Sequence, residues 1–148
     1  MFAIRLAAGA FAMFTAIGTV SAQDPGILGV WWTKQNKGRV DIVRCAPPKQ
    51  GLCGTIIWIS EPNDAKGKPQ TDSGNPNPAL RKRPIIGLQL FEGWREIGRN
   101  KWKGSVYSPE DAETYNDVEI TLVGDKLTLK GCVAFICDSE TWNRYRGP

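Results

Sequence analysis

There is no histidine in this 148-residue chain. Its absence removes the commonest general base, the usual zinc ligand and every serine or cysteine triad built on imidazole. Cys-x-x-Cys is also missing, and with it the low-pKa thiolate of a redox motif. No segment after the N-terminal region carries a sustained helical stripe of apolar residues, and no internal repeat is present. The basic excess is mild, a formal +4 over the whole sequence, and it is scattered. A nucleic-acid footprint needs basic residues clustered on one face, so no nucleic-acid partner is expected.

The N-terminus reads as an export signal. Met1–Arg5 carries one basic side chain, Leu6–Val20 is apolar apart from small residues, and Val20-Ser21-Ala22 offers a small-x-small cleavage site. Residues 1–22 are therefore expected to be a signal peptide, with Gln23 the mature N-terminus and the periplasm or the exterior the destination. An apolar run of about 15 residues is short of the roughly 20 that span a bilayer, and no basic stop-transfer flank follows it. No stable membrane span is expected after cleavage. Residues 23–148 suffice for one domain with one core.

The four cysteines form two close pairs, Cys45/Cys53 and Cys132/Cys137, whose spacings are not those of zinc knuckles. No metal site is expected. In an exported chain disulfides are the default. Three pairings are open; the two local ones are favoured, because each pair brackets a short segment that can turn back on itself.

From Gly29 the pattern alternates every two residues, as strands do. Trp102, Gly104 and Val106 share one face of Lys101–Tyr107; Val118, Ile120 and Leu122 oppose Glu119 and Thr121; Leu127 and Leu129 oppose Thr128 and Lys130. Thr55–Ile59, Gly29–Thr33, Gly38–Ala46, Gly87–Ile97 and Ser139–Tyr145 complete about eight candidate strands, the number that closes a small barrel. Gly124-Asp125 between alternating arms is a hairpin signal. The expected fold is an all-β, antiparallel up-and-down meander closing into a barrel, which hides its edges. Ser60–Pro84 breaks the pattern as a long polar connection, and loops beyond about 12–15 residues are usually functional or disordered.

Around this loop stand Gly29-Val30-Trp31-Trp32-Thr33, Cys45 with Leu52-Cys53-Gly54-Thr55-Ile56-Ile57-Trp58, and Gly67-Lys68-Pro69 with Thr71-Asp72 and Asn75-Pro76. Arg81 follows, then Arg83-Pro84-Ile85-Ile86-Gly87, Trp102-Lys103-Gly104, Val106-Tyr107-Ser108-Pro109-Glu110-Asp111, Thr114-Tyr115 and Thr141-Trp142-Asn143-Arg144. With these motifs in order the sequence resembles a bacterial domain-of-unknown-function family of small exported proteins, number 2147. The chain departs at Ala112, where the family's turn usually has glycine. The family supplies no activity. A second resemblance concerns fold: Gly29-Val30-Trp31 on the first strand with Arg144 on the last is similar to the lipocalin pairing. There a tryptophan packs beneath an arginine and closes the barrel bottom, a cation–π contact.

For chemistry, the Asp72/Asn75/Arg81/Arg83 loop is the first place to look. The two arginines are able to form a fork for a carboxylate, phosphate or sulfate, with Asp72 and Asn75 orienting a polar ligand. Equally, Asp72 and Asn75 make turn bonds and the arginines pair with Asp72 to pin the loop. Trp58 and Tyr107 complete the candidate ligand-binding set. Trp31, Trp58, Trp102 and Trp142 are expected in the core or as barrel plugs. The acidic turn Glu110, Asp111, Glu113 is the densest carboxylate cluster, but solvated acids on a turn seldom catalyse anything, and no EF-hand-like calcium spacing is present. No catalytic residue and no cofactor are assigned.

The leading expectation is an exported, non-enzymatic binding protein for a small amphiphilic or anionic envelope molecule. The alternative is an envelope interaction module with a filled barrel, binding a protein or cell-wall polymer. A carboxylate-based hydrolase ranks third. An apolar cavity of about 300 Å³ or more separates the first from the second.

Overall fold

Alternating burial sets the architecture. The computed structural model describes residues 26–148, so the expected signal segment lies outside the described residues. Eight antiparallel strands close into a barrel in simple sequence order. They are β1 (Gly29–Trp32), β2 (Gly38–Arg44), β3 (Leu52–Ile59), β4 (Gln89–Gly98), β5 (Lys101–Ser108), β6 (Glu113–Val123), β7 (Lys126–Val133) and β8 (Ile136–Arg144). Along β6, Val118, Ile120 and Leu122 turn inward while Glu119 and Val123 face water, the period-two pattern read in the sequence.

Three strands start earlier than their alternation suggests. β3 begins at Leu52 rather than Thr55. β6 begins at Glu113, because Glu113, Thr114 and Tyr115 pair with Ser108, Tyr107 and Val106. β8 begins at Ile136, because the β7–β8 hairpin continues through the Cys132↔Cys137 pair. The early part of β3 is buried, whereas in the β6 and β8 extensions register with a neighbour, not burial, sustains the strand.

The interior is filled by side chains. Trp31, Trp94, Ile42, Ile120, Leu127 and Val40 have almost no exposed surface. Phe91 and Trp94 stack face to face, 3.5 Å between ring centres and 7° between planes. Glycine makes the stack possible: a Cβ on Gly54 would stand 2.1 Å from the Phe91 ring, and one on Gly104 2.3 Å from that of Trp94. A register shift in the β3–β4 pairing, with Gly93 at φ +76°, lets both rings point inward.

Trp58 corrects one expectation. It is not a core residue but lies half-buried on the outer wall, register-paired with Arg39 on β2. A shift in the β2–β3 register between Arg39 and Val40 turns it outward.

At the end carrying the β2–β3, β4–β5 and β6–β7 turns, Arg144 closes over Trp31 beside a cavity of about 210 Å³ bordered by Ile27, Leu52 and Trp102. Arg144 lies 4.3 Å over the Trp31 ring, and Trp31 Nε1 donates to the Ile27 carbonyl at 2.9 Å. Arg144 Nε donates to Asp125 at 2.9 Å, and its terminal nitrogens donate to the Leu28 and Gly26 carbonyls. A hydrogen bond from Arg146, helped by Arg144, holds the Asp125 carboxyl below its ordinary pKa. The Arg144–Trp31 contact reinforces the shortest seam, since β1 and β8 share only the pairs Trp31↔Arg144 and Trp32↔Asn143.

Disulfides staple both ends. Cys45–Cys53 closes the β2–β3 loop and Cys132–Cys137 clamps the β7–β8 hairpin at the opposite end. No described helix is long and apolar enough to cross a membrane.

Candidate functional site

The opposite end of the meander carries the β1–β2, β5–β6 and β7–β8 turns and the long β3–β4 connection. That connection is folded. Asp64 Oδ1 accepts from the Lys66 and Lys68 amides, and isolated bridges join Asn63 to Pro69 and Thr71 to Pro84. Asn77 caps a single 3₁₀ turn, Pro78–Leu80, by accepting from the Ala79 amide.

Asp72 is the centre of this connection. It is 1% exposed, and its carboxylate receives four donors. Tyr107 Oη donates to Oδ1 at 2.7 Å; Asn75 Nδ2, Arg83 Nε and an Arg83 terminal nitrogen reach Oδ2 at 2.8, 2.9 and 2.8 Å. Burial pushes the Asp72 carboxyl up, but the bonds from Tyr107, Asn75 and Arg83 outweigh it and hold the group below its ordinary 3.8. Tyr107 is pushed above its ordinary 10.0, by burial first and then by the Asp72 carboxylate. Near neutral pH the pair is therefore Asp72 charged and Tyr107 protonated.

Asn75, 4% exposed, is equally committed. Its amide nitrogen also reaches Tyr107 Oη at 3.0 Å, and its oxygen accepts from the Asn77 amide. Arg81 Nε donates to the Asn75 carbonyl at 2.7 Å. The structure thus brings five of the six candidate ligand residues together, Asp72, Asn75, Arg81, Arg83 and Tyr107, as a latch tying the connection to β5. Asp72 and Asn75 present no open surface, and Arg83 is turned onto Asp72 rather than forming a free fork with Arg81. The sixth residue, Trp58, has none of these partners.

Trp58 belongs to a cluster the sequence reading missed. Trp32, Arg39, Trp58 and Tyr145 meet on the outer wall, across the seam between β8 and β1. Strand register alone brings Trp32, Arg39 and Trp58 side by side, which no short motif announces. Also missed is the β7–β8 tip, where Val133, Phe135 and Ile136 are all largely exposed beside the Cys132–Cys137 staple. Two acids of the β5–β6 turn have partners: Glu110 pairs with Lys37 of the β1–β2 turn, and Asp111 accepts from Ser108 and Tyr115.

A closed eight-stranded meander, with an arginine over a first-strand tryptophan at one end, defines a lipocalin-like β-barrel. A solved structure reported as "Protein HP1028 from the human pathogen Helicobacter pylori belongs to the lipocalin family" is similar over 80% of this chain and 82% of its own, with a TM-score of 0.64 at 21% identity. The chain belongs to the family described as "Uncharacterized protein conserved in bacteria (DUF2147)", whose model matches residues 29–144. No curated protein matches.

Proposed function

We propose that this protein is an exported, non-enzymatic binding module that recognises an envelope component, a protein or cell-wall polymer, on the outside of a solid barrel. One observation carries this reading: the stacked Phe91 and Trp94, lodged against Gly54 and Gly104, occupy the space in which a hollow barrel would hold a ligand. A small amphiphilic guest inside would have to displace both rings. The two disulfides and the N-terminal signal pattern support export. The folded long connection and the exposed apolar β7–β8 tip, at the same end of the barrel, supply external surface of the kind that meets partners.

Native mass spectrometry of the mature protein, purified from the periplasm, tests the proposal together with a sedimentation assay against isolated envelope fractions. The expected result is a bare mass beginning at Gln23, with co-sedimentation on envelope material. A stoichiometric lipid or other apolar molecule that co-purifies and changes Trp94 fluorescence on removal would overturn it in favour of a carrier.

A further inference from the structure

Arg39 stands on the outward face of β2, register-paired with Trp32 of β1 and Trp58 of β3. Its guanidinium carbon lies 4.6 Å from the ring centre of each tryptophan and 4.4 Å from that of Tyr145. The rings brace one another, Trp32 meeting Trp58 and Tyr145 edge-on at 5.4 and 5.5 Å. Their electron-rich faces favour a cation and restrict its motion.

What the rings do not supply is an acceptor. Arg39 Nε is buried with no hydrogen-bond partner, and Arg39 takes part in no ion pair among the described residues. Asp41, two residues along the same face, does not reach it. Arg83 pairs with Asp72, and Arg144 and Arg146 share the single carboxylate of Asp125; what sets Arg39 apart is a buried Nε without any partner. A guanidinium fixed by packing and left without a counter-ion presents its remaining N–H edge as a fork for an oxyanion. The rings around it are half-buried, each with a face on the guanidinium, and the surface they leave exposed is apolar and suits the C–H side of a sugar.

We propose that Trp32, Arg39, Trp58 and Tyr145 form a binding site for an acidic saccharide, its carboxylate or phosphate on Arg39 and its ring against the aromatic side chains. The proposal rests on the outside-of-barrel reading and gives it a place and a ligand class. The exposed Lys34 of the β1–β2 turn adds positive charge at the adjoining edge, while Lys37 beside it is paired with Glu110. The acidic sugar is either free or a unit of an envelope polymer.

Titration of the mature protein with galacturonate, glucose 6-phosphate, polygalacturonate and neutral galactose, read by tryptophan fluorescence and calorimetry, tests it. Saturable binding of an acidic ligand with galactose silent is expected, weakened about tenfold or more by Arg39→Gln. Binding of both acidic monosaccharides and polymer identifies a free sugar as sufficient; binding of polymer alone identifies a polymer unit, and both require Arg39. Arg39→Lys keeps the charge within the rings but loses the fork, so it should fold and still bind more weakly than wild type, which guards against a Gln variant that unfolds. Silence of all three acidic probes, equal binding of galactose, or undiminished binding by a folded Arg39 variant would overturn the site. Envelope co-sedimentation that survives Arg39→Lys would reject this site alone, whereas an apolar guest inside the barrel would reject the broader reading.

Discussion

Tyr107 on β5 donates its hydroxyl to Asp72 Oδ1 at 2.7 Å, joining barrel wall to long connection across 35 positions of sequence. Asn75 and Arg83 complete the carboxylate's shell from within the connection itself. The tyrosine is thus the side chain through which the connection is bonded to the sheet at Asp72, and its loss has a calculable effect.

Tyr107→Phe keeps the ring under Arg83 and removes one hydrogen bond to a buried charge. It should destabilise the protein by about 1.5–3 kcal/mol. Urea unfolding of Tyr107→Phe, Asp72→Asn and the double variant measures the coupling. Additive effects would show that the hydroxyl contributes nothing through Asp72.

Acid should release the same latch. Because the folded pKa of Asp72 lies below its ordinary 3.8, its contribution is fully present above that value and is lost as pH falls through the folded pKa. Asp72→Asn should therefore be less stable than wild type at neutral pH and lose less on acidification below about pH 4. Unfolding free energies measured from pH 7 down to 2 check the slope; parallel curves would contradict the assignment.

The stacked pair in the interior makes a third expectation. Phe91→Ala should cost about 3–5 kcal/mol and leave an apolar void. A void of that kind stays dry and takes up small apolar molecules, so indole or benzene should raise the variant's melting temperature and leave wild type unchanged. Equal stabilisation of wild type would mean the barrel already has room.

Ala112 sits in the left-handed region at φ +57°, in the turn between β5 and β6. A side chain is strained there, and the Ala112 Cβ also faces Gly74 of the long connection, where an added Cβ would stand 3.3 Å away. Ala112→Gly should stabilise by about 0.5–1 kcal/mol net of the added freedom of the unfolded chain. A lower urea midpoint for the variant would show that the turn is held by contacts Ala112 makes.

Much of the barrel was legible because alternation is a local signal. Val118, Ile120 and Leu122 declare their face without help from any other strand. Trp94 was not legible, since Phe91 and Trp94 share the interior only through an irregularity that breaks period two. Trp58 failed for the same reason on the other side of the wall. In the long connection the residue set was recognisable, but whether Asp72 serves a ligand or the protein depends on Tyr107, far away in sequence. The Arg39 cluster depends wholly on register across the seam, and register is a property of the closed sheet.

The β1–β8 seam also dictates when the molecule becomes a barrel. The first strand's closing partner is the last to be synthesised, and a chain delivered N-terminus first holds β1 with one unsatisfied edge until β8 arrives. Closure therefore waits on β8, and truncation after β7 should yield an open sheet prone to edge-to-edge association.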